Sequence, residues 1–160
     1  RMSDAVRLQY AALAALYRAR WQIARHPFPE LADALGRHEP ACPAAPPLTP
    51  EQQAAARAIC NAVTRWGRLH GPLFRCLVRC LAAARLLQQA GIPYLVCCGA
   101  QPASANRLAA HAWLQAGTAA VGQNPDDRFA MSLDSFLSVF GTATLFESFA
   151  GFLTFTYPYD

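Results

Sequence analysis

The chain contains no lysine. All 14 of its basic residues are arginine, set against 10 acidic residues for a formal net charge of +4. The arginines are scattered and form no basic run, so the electrostatic footprint of a nucleic-acid binder is missing and no such partner is expected. Sparse charge of this kind fits weak steering of an acidic peptide. Charged residues make up only 15% of the 160 positions and hydrophobic ones 54%, which excludes a disordered chain and supplies the core of one domain. Mean hydropathy is slightly positive, as in a chain that hides surface in a partner. The sequence also lacks internal repeats and any Cys-x-x-Cys pair. No secretory leader is expected, because the N-terminus opens directly into an Arg-rich amphipathic stretch.

Six cysteines are present: Cys42, Cys60, Cys76, Cys80, Cys97 and Cys98. Cys97 and Cys98 adjoin inside an apolar run, which suits buried thiols in a reducing cytoplasm better than a disulfide scaffold. Arg1 ahead of Met2, and Tyr157-Pro158-Tyr159-Asp160, which resembles the start of a common epitope tag, are set apart from the fold.

Along the chain, residues 4–24 read as a helix capped by Ser3, with Val6, Tyr10, Leu13, Tyr17 and Ile23 at helical spacing. Pro27 and Pro29 end it, and a short helix over about 29–36 follows. Residues 37–50 are a Pro-rich linker in which Cys42 is an exposed thiol. Thr49-Pro50-Glu51-Gln52 is a capping box with proline at the first helical position, starting a helix that runs to about Trp66 and breaks at Gly67. Another helix runs from Arg75 to Ala90, with Leu77, Leu81, Ala84 and Leu87 inward, and stops at Gly91. Residues 92–98 read as a buried strand, 100–107 as a polar loop, 108–116 as a second strand, Gly117-Thr118 as a turn and 119–123 as a third strand. The aromatic-rich stretch 132–153 reads as a C-terminal helix, and Asp134 and Glu147 argue against its spanning a membrane. Helices followed by a small sheet and a final helix make an α+β domain.

Two features carry chemistry. Cys76 stands where a turn becomes a helix, so unpaired N–H groups and the positive end of the helix dipole favour its thiolate. The same N–H groups suit an oxyanion. His111, in Ala110-His111-Ala112-Trp113, lies on a nearby strand, where it can serve as base to the thiol and acid to a leaving group. The plain alternative is a small buried thiol and a core imidazole.

The run from Cys76 through Gly91-Ile92-Pro93 to Gly99, followed by Ala110-His111-Ala112-Trp113, resembles the transglutaminase-like leader peptidases of lasso-peptide biosynthesis. Arg25-His26-Pro27-Phe28-Pro29-Glu30-Leu31 resembles the segment ahead of that family's catalytic core. The resemblance covers roughly residues 15–130 and implies a papain-like core, placed at 49–156 after a helical segment and linker at 1–48, with residues 157–160 read as a possible tag remnant. The nucleophile Cys would sit at a helix N-terminus on a small antiparallel sheet. It implies a cytoplasmic cysteine peptidase that removes the leader of a ribosomally made precursor and needs no cofactor or metal. Its partners would be a separate leader-recognition protein and an ATP-dependent macrolactam synthetase. Cys76 matches the nucleophile and His111 the base. Where the family places an Asp, this sequence has Gln123, whose amide oxygen can accept from the imidazole. Asp126 and Asp127, a few residues on, are the alternative orienters.

Two other readings stand beside it. One is an inactive scaffold that docks precursor and synthetase. The other is a metal site drawn from Cys76, Cys80, Cys97, Cys98 and His111, against which vicinal Cys97 and Cys98 should point to opposite faces of a strand.

Overall fold

In a computed structural model, residues 3–27, 30–31, 35, 37–39, 45–104, 107–122 and 153–157 are described. Helix α1 spans Asp4–Arg25, with the Ser3 side chain accepting from Val6 N and Arg25 in the last turn. Its buried residues are Ala12, Ala15, Leu16 and Ala19. This corrects the face expected from the larger residues: Val6, Tyr10 and Tyr17 are 42%, 63% and 49% exposed. Leu13 and Ile23 of that set are partly buried against the core, and Tyr17 touches it through an edge contact with Phe74. The reason is steric. Helix α1 lies against two other helices at once, and alanines permit that approach.

Glu30, Leu31 and Leu35 are helical, with Leu31 and Leu35 buried. The buried Tyr94 hydroxyl donates to Leu35 O at 2.7 Å and receives from Gln88 Nε2, also at 2.7 Å, which anchors this segment to the core. Within the expected linker, Arg37–Glu39 forms strand β1. Cys42 lies outside the described residues.

Helix α2 spans Pro50–Leu69 and opens on the full capping box: Thr49 Oγ1 accepts from Gln52 N at 3.2 Å, and Gln52 Oε1 from Thr49 N at 3.1 Å. It runs through Gly67 instead of breaking there. A single 3₁₀ turn, Gly71–Leu73, leads to Arg75 and helix α3, Cys76–Gln89. Helix α3 is buried nearly all round. Its C-terminus closes at Gly91, φ +64, with Gly91 N donating to Gln88 O and Ile92 N to Leu87 O, the paired bonds of a left-handed glycine cap.

The remaining strands are β2 (Tyr94–Ser104), β3 (Arg107–Ala116), β4 (Ala119–Val121) and β5 (Leu153–Tyr157). They form a five-stranded sheet in the order β1-β5-β2-β3-β4, and every adjacent pair is antiparallel. The domain is α+β. The expected polar loop at 100–107 is largely strand: Gln101 pairs with Ala109 and Pro102 with Leu108 before a register shift. Pro102 is tolerated because β5 pairs β2 only over Tyr94–Cys98, so among the described residues the other edge of β2 is open at Pro102. Leu153, the last residue of the expected C-terminal helix, begins β5, and Tyr157 pairs with Tyr94. Residues 132–152 lie outside the described set.

Alternate residues of the sheet face the helices. Tyr94, Val96, Ala112, Leu114 and Ala116 join one buried cluster with α1, α2 and α3. Leu95 and Cys97 are buried on the opposite face, which by cross-strand register they share with Trp113 and His111. Thr118 N donates to Gln53 Oε1 at 2.9 Å, pinning the β3–β4 turn to α2. Among the described residues, no helix is long and apolar enough to cross a membrane.

Candidate active site

Cys76 is the first residue of α3, directly after Arg75, whose side chain makes no capping bond. Arg75 therefore does not compete for the first-turn N–H groups. The helix start is held by Arg79, one turn on. Its Nε donates to Phe74 O at 2.7 Å and its Nη2 to Gly67 O at 2.8 Å, tying the end of α2 to the loop that delivers Cys76.

The structure brings Cys76 and His111 together. Burial is the largest single influence on the Cys76 thiol and pushes its pKa up. A side-chain hydrogen bond with His111, a backbone hydrogen bond from Ala112, the charge of His111 and a backbone hydrogen bond from Leu77 outweigh it, so the thiol lies below its ordinary value. Cys60 shows what burial does alone: within α2 and without such partners, its thiol is pushed from 9.0 up to about 12. Stabilising a thiolate inside the protein therefore takes the donors gathered at Cys76.

The Ala112 N–H spent on Cys76 points away from β2. Strand β4 pairs β3 only over Leu114–Ala116, so Cys76 takes a stretch of β3 edge that β4 leaves uncovered. His111 is flanked on its own strand by Trp113, ring centroids 5.9 Å apart and planes at 20°. The Cys76 thiolate is thus favoured next to the His111 ring, as nucleophilic cysteine chemistry requires.

The expected third residue, Gln123, lies outside the described residues, as do Asp126 and Asp127. The last described residue before them, Gly122, lies beside the imidazole: a Cβ there would be 3.7 Å from His111 Nε2. The ring atom nearest the end of β4 is thus Nε2.

Cys80 and Cys97 are buried, and among the described residues neither they nor Cys60 and Cys76 form a disulfide. Among the described residues, no three His, Cys, Asp or Glu side chains gather in a way that could hold a metal ion, so Cys76, Cys80, Cys97 and His111 do not form the proposed zinc set. Cys80 turns into the helical core, while Cys97 sits on the opposite sheet face beside Trp113. Sequence reasoning missed Ala112, Arg79 and Gly122. Ala112 acts through its backbone, which no residue type announces, and the other two act by position.

The family described as the Transglutaminase-like superfamily matches residues 10–133. No curated protein and no solved structure matches the chain.

Proposed function

Because this chain belongs to the transglutaminase-like superfamily, we propose that it is a cysteine peptidase that removes the leader from a ribosomally synthesised lasso-peptide precursor before macrolactam formation. The observation that carries the chemistry is the hydrogen-bonded Cys76–His111 pair at the start of α3, with the thiol held below its ordinary pKa. The resemblance of Cys76–Gly99 and Ala110–Trp113 to lasso leader peptidases supports the substrate.

In this reading the Cys76 thiolate attacks the carbonyl carbon of the last leader residue. The carbonyl electrons move onto oxygen, and N–H groups at the start of α3 receive the oxyanion. As the intermediate collapses, the C–N bond breaks and His111 gives its proton to the departing amine of the core peptide. The leader remains on Cys76 as a thioester. His111 then takes a proton from water, the hydroxide attacks the thioester, and Cys76 leaves as thiolate. Gln123 keeps the imidazole in its working tautomer. Bond exchange here calls on no cofactor or metal. A separate leader-recognition protein presents the precursor, and an ATP-dependent macrolactam synthetase closes the freed core, all in the cytoplasm.

The test is to incubate the protein with precursor and leader-recognition protein and weigh the products. Cleavage at one bond between leader and core, abolished by Cys76→Ala and by His111→Ala, is the expected result. Undiminished cleavage by Cys76→Ala, or intact precursor under every combination of partners, overturns the reading.

A further inference from the structure

The ladder between β3 and β4 stops early. Val121, the last residue of β4, pairs with Leu114. One more step in the same register would set residue 122 opposite Trp113, and another would bring the chain alongside Ala112. Instead Gly122 has φ +66, a left-handed backbone that glycine adopts freely and other residues adopt at a cost. One contact at Gly122 is tight. A Cβ on Gly122 would stand 3.3 Å from Ala112 O, 3.5 Å from Trp113 Cβ and 3.7 Å from His111 Nε2. All three atoms belong to the stretch of β3 that serves Cys76. The uncovered edge is in use, because the Ala112 backbone hydrogen-bonds Cys76.

We propose that Gly122 is a positioning residue: its left-handed backbone at the end of β4 leaves the Ala112 backbone to Cys76, and its missing Cβ spares the Ala112 carbonyl, next to His111, a contact too close for its place in the sheet. The proposal rests on Cys76 and His111 being the reacting pair. Two properties of glycine act separately here. The left-handed φ releases the edge of β3. The bare Cα keeps the chain clear of a backbone carbonyl that cannot swing aside, since Ala112 is fixed across the sheet opposite Cys98. A side chain at 122 therefore presses on β3 at Ala112, the residue whose N–H serves Cys76 and the neighbour of His111.

Gly117 is the internal control. It too is left-handed, φ +56, in the turn joining β3 to β4, but a Cβ there would meet Leu48 and Gln53, not the site.

The experiment follows iodoacetamide alkylation of Cys76 against pH, by peptide mapping, in the intact chain and in Gly122→Ala, Gly122→Asn and Gly117→Ala. Gly122→Ala is expected to raise the alkylation midpoint by about one pH unit, which is roughly tenfold slower modification on the acid side. Asn tolerates left-handed backbone and carries its Cβ to the same place, so Gly122→Asn should show the rise even if Gly122→Ala folds poorly. Gly117→Ala should melt at a lower temperature with the midpoint unmoved. A folded Gly122→Ala or Gly122→Asn with the parent midpoint overturns the proposal, and so does an equal shift in Gly117→Ala. Alkylation needs no peptide substrate, so failure of the peptidase reading leaves this result separately readable.

Discussion

Arg79 lies across Gly67. A Cβ on Gly67 would fall 2.5 Å from Arg79 Nε and 2.9 Å from its Cδ, and the guanidinium donates to the Gly67 carbonyl. The glycine that looks like a helix breaker is therefore a seat for an arginine, and α2 runs through it to Leu69. The same arginine holds Phe74 O, two residues before Cys76.

Gly67→Ala should destabilise the protein, although alanine is the better helix former by about 1 kcal/mol. Displacing the guanidinium gives up its hydrogen bonds to two carbonyls, each worth about 1.5–3 kcal/mol for a charged donor. Arg79→Lys should fall in the same direction, because one ammonium cannot reproduce the planar fork. Urea denaturation reads both, and a Gly67→Ala variant more stable than the parent would count against the interlock.

Cys60 should make the fold alkali-sensitive. Burial holds its thiol at about 12 against an ordinary 9.0, so the native state keeps a proton that the unfolded state loses. The sign follows directly. This contribution is fully present below pH 9 and declines as pH rises toward 12, by about 1.4 kcal/mol per pH unit. Cys60→Ala should flatten the decline in denaturation curves taken between pH 9 and 11. An unchanged slope would show that Cys60 ionises freely.

Most helix boundaries were legible in the sequence because they rest on local chemistry. Thr49, Pro50 and Gln52 spell a capping box, and Gly91 supplies the left-handed stop. The pairing of Cys76 with His111 was legible as well, since a helix start and a neighbouring strand place them by topology. What escaped depends on distant parts of the chain. The inner face of α1 is lined with alanine because two helices press on it, while Tyr10 and Tyr17 stay outside. Arg37–Glu39 carries no apolar pattern and is a strand only because β5 offers its edge. Residues around Gln101 and Ser104 extend the β2–β3 hairpin, a backbone pairing that no residue type announces. Neither the Ala112 N–H nor the room beside Gly122 leaves a mark in residue type.

Gln123→Ala should lower turnover by roughly tenfold to a thousandfold with little change in KM, a smaller loss than the roughly 10⁴ that follows neutralising a triad carboxylate. Steady-state kinetics on the precursor decides it. Unchanged kcat in Gln123→Ala, with a loss in Asp126→Ala or Asp127→Ala, would transfer the orienting role to that aspartate.

The central claim is that the leader passes through a covalent bond to Cys76. Acid quenching of a reaction containing precursor and leader-recognition protein, followed by intact-mass and peptide-level mass spectrometry, tests it most directly. The account predicts an adduct equal to the leader acyl group, located on Cys76, destroyed by hydroxylamine and absent from Cys76→Ala. Precursor cleavage with no adduct at any time point and full activity in Cys76→Ala, or an adduct carried by another cysteine, would contradict it.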